Sequence, residues 1–147
     1  MRLGIALLAL GLAPGVLAGQ ERQPIYPGGA RTAGPYTPGI RVGNLLFVSG
    51  QLGFAPGGRG LVPGGIQAET RQALENIGRV LEAAGTSFAR VAKCNVYLTD
   101  VADFAAMNEV YTTFWPNDPP PARTTVAVAA LPAPGARVEI ECIASVS

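Results

Sequence analysis

The sequence contains no histidine. This absence excludes Ser-His-Asp and Cys-His catalysis, histidine-ligated metal sites and histidine proton shuttles. Lysine is almost absent too, since Lys93 is the single one, and charged residues make up 14% of the 147 residues. Acid–base chemistry therefore has to come from Asp, Glu, Tyr, Cys, Lys93 or a bound water molecule.

Clustered positive charge is also missing. The formal net charge is +1, and it falls to zero without the N-terminal Arg2. No P-loop motif, G-x-S-x-G or C-x-x-C motif is present, and the glycines at 57–60 are typical of a loop. We therefore expect neither a nucleic-acid partner nor a membrane-surface partner.

The first twenty residues have the composition of a targeting segment. Arg2 is followed by the apolar run 3–12, and Val16 and Ala18 fit the small positions before a signal-peptidase site. We predict a signal peptide over residues 1–18 and an exported protein, periplasmic or secreted, with no membrane association after cleavage. The alternative is an uncleaved N-terminus and a cytoplasmic protein.

The two cysteines, Cys94 and Cys142, fall on the apolar side of predicted strands. In an exported protein they can form a disulfide, provided that their strands are adjacent and in register. Because sequence does not show this adjacency, we favour two buried thiols that act as small apolar side chains.

Apolar periodicity divides the rest of the chain into strands and helices. Residues 19–33 predict a flexible segment, and residues 34–147 form the predicted domain, with a short strand possible before Leu45. The predicted order is a strand at 45–54, a helix at 66–84 ended by Gly85, a strand at 90–100, a helix at 101–115 capped by Asp100, and two strands at 121–132 and 137–145.

Two strand–helix units in tandem predict an α+β sandwich of ferredoxin-like type. Two helices cover one face of such a sheet, yet several strands are apolar on both faces. The uncovered face would be exposed in a monomer, so we expect the sheet to pack against other subunits.

Charged residues interrupt the two final strands. The planar donors of Arg123 suit a carboxylate, and Glu139 alternates with Val138 and Ile140, so it faces away from them together with Glu141. Arg123 and Glu139 either form a structural salt bridge across neighbouring strands or await a ligand. From the residue pattern alone, both remain open.

Five segments resemble, in order and spacing, the RidA/YjgF family of reactive-intermediate deaminases. They are AGPYTPGI (33–40), LLFVSGQL (45–52), DFAAMNEVYTTFW (103–115), PARTTVAVAALP (121–132) and RVEIEC (137–142). The resemblance implies a chorismate-mutase-like homotrimer with active sites between subunits. It also implies hydrolysis of small 2-enamino and 2-imino acids to 2-oxo acids and ammonia, with no cofactor and no metal.

The same resemblance implies roles for individual residues. Arg123 would hold the substrate carboxylate, and Glu139 would activate the attacking water. Tyr36 would line the cleft from the adjacent subunit, while Ser49 and Gly50 would contribute a hydroxyl and a backbone group. For Ser49, plain turn chemistry is equally consistent with the sequence, and a packed interface aromatic is nearly as consistent for Tyr36.

Three further positions complete the predicted site. Asn108 would support the cleft, and Thr125 would line it where many relatives of the family have cysteine. We interpret Glu141 as structural, and the apolar stripe along 104–114 as helical core.

The alternatives to a deaminase are a non-catalytic binding or protein-stabilising trimer and, with the least support from charge, a ribonuclease.

Overall fold

The computed structural model describes residues 21–29, 32, 34–58 and 60–146. The predicted signal peptide at 1–18 lies outside these residues. The strands are β1 (Arg22–Ile25), β2 (Gly39–Val42), β3 (Leu45–Leu52), β4 (Val91–Leu98), β5 (Ala122–Ala127) and β6 (Val138–Ser145), and the helices are α1 (Gly65–Ala83) and α2 (Phe104–Tyr111). In the part of the chain described, neither helix has the length and apolarity needed to cross a membrane.

The six strands form one mixed sheet in the order β1-β2-β3-β6-β4-β5. All neighbouring pairs are antiparallel except β4 and β5, which are parallel and are connected through α2. A parallel pair needs such a crossover, because a tight turn can join only antiparallel strands. The predicted α+β class is confirmed.

The N-terminal segment is more ordered than predicted. β1 pairs with β2 from Arg22 opposite Val42 to Ile25 opposite Gly39, so the interpretation of 19–33 as flexible is corrected for this strand. The short strand expected before Leu45 is present as β2, which pairs with the first half of β3.

Helix α1 follows the predicted apolar periodicity and ends where the glycine predicts. Its buried residues include Leu74, Ile77 and Leu81. Gly85 has a φ of +74°, and Thr86 N–H donates to the Leu81 carbonyl at 3.0 Å while Gly85 N–H donates to the Glu82 carbonyl at 2.9 Å. This is a Schellman ending, which needs a residue that adopts positive φ without strain.

The core lies between the helices and one face of the sheet. Side chains from both helices and from β3, β4 and β6 form one buried apolar cluster. The opposite face, which we call the open face, carries Leu45 and Phe47, exposed by 41% and 44%. The prediction of two helices on one side and an uncovered apolar face on the other is therefore confirmed.

The two final strands are not neighbours, which corrects the prediction that Arg123 and Glu139 lie on adjacent strands. β4 separates β5 from β6. Val128 N–H donates to the Leu98 carbonyl at 2.8 Å, and Thr99 N–H donates to the Arg137 carbonyl at 3.1 Å. The connection over 128–137 thus passes around the end of β4, and it is too long for a tight hairpin turn.

The same strand order brings the cysteines together. Cys94 on β4 lies directly opposite Cys142 on β6, with a Cα–Cα distance of 4.1 Å, and the two form a disulfide in the core. Our preference for two free thiols is wrong. The insertion of β6 beside β4 makes the pair adjacent, and spacing along the chain does not reveal that insertion.

Candidate functional site

A bulge in β3 shapes the surroundings of Glu139. Val48 pairs with Cys142 and Gln51 pairs with Ile140, so Ser49 and Gly50 together stand opposite a single residue of β6. A bulge of this kind bends the strand and redirects the neighbouring side chains. A methyl group added to Gly50 would overlap Glu139 Oε1, so this glycine leaves the space that the carboxylate occupies.

A cavity of about 840 Å³ opens next to this carboxylate. It begins where β2 stops pairing with β3, because β2 reaches only as far as Val48. Its lining includes Tyr36, Ser49, Gly50, Phe54, Pro132 and Glu139. The predicted residues Tyr36, Ser49, Gly50 and Glu139 therefore share one cavity.

The hydroxyl of Ser49 holds the loop that carries Tyr36. Ser49 Oγ donates to the Thr37 carbonyl at 2.6 Å, and Ser49 N–H donates to the Pro38 carbonyl at 2.9 Å. Thr32 Oγ1 donates to the Tyr36 carbonyl at 2.6 Å from the other side of the loop. The Tyr36 ring itself is 54% exposed, so it is free to contact a ligand or another copy of the chain.

The carboxylate of Glu139 has a raised pKa. Burial is the main cause, because the charged form loses solvation, and the negative charge of Glu141 adds to the effect. Glu141 accepts hydrogen bonds at its Oε1 from Asn95 Nδ2 at 2.8 Å and from Tyr97 OH at 3.0 Å. These bonds give Glu141 structural partners, whereas the part-buried carboxylate of Glu139 holds its proton more readily than an exposed glutamate does.

Arg123 lies on the other face of the sheet. Its Cα is the register partner of the buried Cys94, and its guanidinium carbon lies 4.6 Å from the ring centre of Tyr111 and 5.7 Å from that of Phe104. Among the described residues, the Arg123 guanidinium has no carboxylate partner. The ion pair found in this part of the chain joins two other residues, Arg137 and Asp103. The proposed Arg123–Glu139 salt bridge is therefore absent within one copy of the chain.

Three buried polar atoms without a hydrogen-bond partner belong to the β5–α2 region. They are Asn108 Oδ1, Tyr111 OH and Thr125 Oγ1. Thr125 follows Arg123 by two residues and so shares its face of β5, and Asn108 and Tyr111 are one turn apart on α2. Unpaired buried polar atoms are uncommon and often mark functional regions.

The predicted residues thus form two half-sites. Tyr36, Ser49, Gly50 and Glu139 make the first, which we call the carboxylate half-site, and Arg123, Asn108 and Thr125 make the second, which we call the arginine half-site. One intervening strand and the thickness of the sheet separate them. In the described part of the chain, no group of three or more His, Cys, Asp or Glu side chains could hold a metal ion.

Sequence reasoning missed two contributors to these half-sites. Tyr111 was assigned to helical core, and it is buried, but its face also supports Arg123. Asn76, on α1, donates from Nδ2 to the carbonyls of Leu52 at 2.9 Å and Phe54 at 3.0 Å and so fixes the cavity wall. No sequence signal identified Asn76, whereas Tyr111 lies in segment 103–115, one of the five that carry the family resemblance.

Known proteins match nearly the whole described chain. The family model described as Endoribonuclease L-PSP matches residues 29–146. "Protein mmf2, mitochondrial" of Schizosaccharomyces pombe is 47% identical over 85% of this chain and 98% of its own length. The 2-iminobutanoate/2-iminopropanoate deaminase of Capra hircus is 49% identical over 76% of this chain and 80% of its own length.

A solved structure matches the fold as well. RidA from the Antarctic bacterium Psychrobacter is 45% identical, with a TM-score of 0.77 over 85% of this chain and 100% of that one. A mitochondrial relative gives no support to the predicted export. The sequence segments, the mixed sheet and these matches agree, and the chain belongs to the RidA/YjgF family, whose family model is described as Endoribonuclease L-PSP.

Proposed function

We propose that this protein hydrolyses small reactive 2-imino acids and their enamine tautomers to 2-oxo acids and ammonia. The observation that carries the proposal is the pair of half-sites: an arginine without a carboxylate partner and a glutamate of raised pKa beside a large cavity. Relatives named as 2-iminobutanoate/2-iminopropanoate deaminases support this reaction class.

The arginine half-site provides the substrate anchor. A guanidinium binds a carboxylate through two parallel N–H donors, which fixes both the position and the plane of the substrate. This places C2, the imine carbon, at a defined distance from the bound carboxylate. Orientation of this kind accounts for much of the advantage of an enzyme over solution.

The carboxylate half-site provides the acid–base group. Glu139 accepts a proton from water as the water oxygen bonds to C2 of the protonated imine, whose nitrogen becomes a neutral amine. The protonated Glu139 then returns this proton to the nitrogen. The C–N bond breaks and ammonia leaves, while the hydroxyl group on C2 gives its proton back to the Glu139 carboxylate and becomes the carbonyl. A raised pKa suits both steps, and such acid–base assistance typically gives about 10²–10⁴-fold acceleration.

A complete site needs two copies of the chain. Arg123 faces the helix layer at one edge of the sheet and Glu139 faces the opposite side, so one small substrate cannot reach both in one copy. We propose a homotrimer in which Arg123 of one copy meets Glu139 and Tyr36 of the next. The exposed apolar residues of the open face support such packing.

Semicarbazide trapping tests the activity. An amino-acid oxidase generates imino acids in situ, semicarbazide traps the unhydrolysed fraction, and the native protein should lower the semicarbazone signal. The Arg123→Ala protein should not lower it, because the carboxylate anchor is gone. A native protein that leaves the semicarbazone signal at its protein-free level would exclude the deaminase and leave a non-catalytic module. An equal decrease with native and Arg123→Ala proteins would exclude the anchoring role of Arg123.

Mixing two inactive variants tests the sharing of sites. Arg123→Ala and Glu139→Gln proteins are unfolded together and refolded as mixed oligomers. In a random one-to-one mixture of a cyclic oligomer, about a quarter of the interfaces join an intact arginine to an intact glutamate. Activity near this fraction is expected, whereas no recovery from two well-folded variants would place both groups in the same copy.

We also propose that the protein functions in an oxidising compartment after removal of residues 1–18. The Cys94–Cys142 disulfide supports this, because disulfides persist in exported proteins and are rare in the cytosol. N-terminal sequencing of the protein recovered from its native host tests the cleavage after Ala18.

A further inference from the structure

Tyr111 provides an aromatic surface for the Arg123 guanidinium. The distance of 4.6 Å from the guanidinium carbon to the ring centre is that of a cation–π contact. The ring is 1% exposed, so this contact is shielded from water and is stronger than the same contact at the surface. Phe104, 5.7 Å away and 41% exposed, supplies an outer aromatic contact.

The Tyr111 ring is itself held in place. Its centre lies 4.7 Å from that of Trp115, whose ring meets Phe88 edge-on at 5.4 Å. Trp115 Nε1 also donates to the Phe88 carbonyl at 3.0 Å. A ring fixed by these neighbours presents a rigid face to the guanidinium.

This contact leaves the guanidinium donors available. The ring face of Tyr111 offers no carboxylate or carbonyl acceptor, so the contact leaves the five N–H donors of the guanidinium for other partners. Among the described residues, no carboxylate neutralises Arg123. A salt bridge would occupy the donors that a substrate needs, whereas an aromatic ring holds the cation without occupying them.

The hydroxyl of Tyr111 makes no hydrogen bond to Arg123. It is buried without a hydrogen-bond partner, and burial raises the pKa of Tyr111 to about 12 although the nearby Arg123 charge lowers it. The phenol therefore stays neutral at physiological pH and acts through its ring.

We propose that Tyr111 is a positioning residue that holds Arg123 ready to receive the substrate carboxylate. The proposal deepens the proposed function and rests on it. Because Tyr111 contacts the guanidinium rather than the reacting atoms, its loss should weaken substrate binding more than it slows the chemical step.

Kinetics of three variants test this role. Tyr111→Leu removes the ring and should raise KM about five- to tenfold while kcat changes less than about threefold. Tyr111→Phe keeps the ring and should restore KM to within about twofold of the native value. Val110→Ala, at a neighbouring buried position of α2, controls for destabilisation of the helix. A KM for Tyr111→Leu no higher than that of Val110→Ala would overturn the proposal.

A second measurement does not depend on activity. Nuclear magnetic resonance spectra should show the Arg123 Nε–H proton shifted upfield by the Tyr111 ring, with the signal assigned by its loss in Arg123→Lys. The shift should persist in Tyr111→Phe and vanish in Tyr111→Leu, and 2-oxobutanoate should bind the Tyr111→Leu protein about five- to tenfold more weakly. If the upfield shift and the weaker binding of 2-oxobutanoate are observed but the native protein has no deaminase activity, the positioning role of Tyr111 stands and the proposed reaction fails. An unshifted native signal overturns the positioning role.

Discussion

At the scale of single residues, the close approach of Gly50 and Glu139 couples the backbone of β3 to the carboxylate that we propose as the acid–base group. The carboxylate Oε1 occupies the position that a side chain at residue 50 would need. A side chain at residue 50 would therefore displace the carboxylate, although the φ of Gly50 is not in the left-handed region. The bulge and the glycine act together to seat the carboxylate beside the cavity.

Replacement of Gly50 by alanine should displace the Glu139 carboxylate. We expect kcat to fall by about 10- to 100-fold, because a shift of about 1 Å in a catalytic group has an effect of this size. Gly60→Ala is the matched control, since its new methyl group meets no atom within 4 Å. A Gly50→Ala protein with native kcat would show that the position of Glu139 is not critical.

Residue identity was the part of the site most accessible from sequence. Alternation along β6 correctly places Glu139 and Glu141 on the face opposite Val138 and Ile140. Tyr111 was harder to assign, because a buried aromatic ring has the same sequence pattern whether or not a cation stacks on it. That role depends on where β5 lies relative to α2, which the pattern within either element does not contain.

At the scale of elements, the disulfide joins the neighbouring strands β4 and β6. It closes a loop of 48 residues and lies within the apolar cluster. In the chain-entropy model a loop of this length corresponds to about 4 kcal/mol of stabilisation, and measured values are typically about 2–4 kcal/mol. The disulfide also fixes the register of β6 against β4 at its midpoint.

Reduction of this disulfide should lower the free energy of unfolding. We expect urea unfolding of the native protein in dithiothreitol to show a loss of about 2–4 kcal/mol relative to oxidising buffer. The Cys94→Ala/Cys142→Ala protein should unfold at one urea concentration in both buffers. An equal midpoint for the native protein in both buffers, with thiol titration proving reduction, would contradict the expected stabilisation.

The starts of α1 and β3 and the Gly85 ending were predicted to within one residue, because they arise from local interactions. The helix predicted over 101–115 is shorter, since α2 covers only Phe104–Tyr111, and the strand predicted to reach 132 ends at Ala127. Asp100 Oδ1 accepts from Ala102 N–H at 2.9 Å, but it caps the 3-10 turn Val101–Asp103 that precedes α2. Strand order depends on which edges meet after the helices pack. Chain order alone therefore did not predict that β6 lies between β3 and β4, and for the same reason it did not predict the disulfide.

At the scale of the whole molecule, the open face and the divided site point to the same requirement. Leu45, Phe47 and Val126 are exposed there in a single copy, and neither half-site contains both Arg123 and Glu139. Assembly would cover the apolar residues and complete the site in one step. The homotrimer stays a prediction until the oligomeric state is measured.

A charge on the open face should prevent assembly. We expect Phe47→Glu to sediment as a monomer and to lose deaminase activity, because burial of a carboxylate against an apolar surface is unfavourable. Ala83→Glu, exposed at the end of α1, should assemble like the native protein. An active monomer of Phe47→Glu would show that one copy holds a complete site.

Ribonuclease activity, which the family model's description names, receives little support from the charge distribution. The chain has no histidine and a single lysine, and its acidic and basic residues nearly cancel. Nucleic-acid binding depends on neutralising several phosphates with clustered cations. Our expectation of no nucleic-acid partner stays a prediction, and salt-dependent RNA binding would contradict it.

The central position of β6 affects when the chain can fold during synthesis. Of the described strands, the one that fills the middle of the sheet is the last to leave the ribosome. Until it emerges, β3 and β4 lack their shared neighbour, the apolar cluster lacks Ile140 and Cys142, and the disulfide cannot close. The sheet should therefore not assemble until β6 has been synthesised and has left the ribosome.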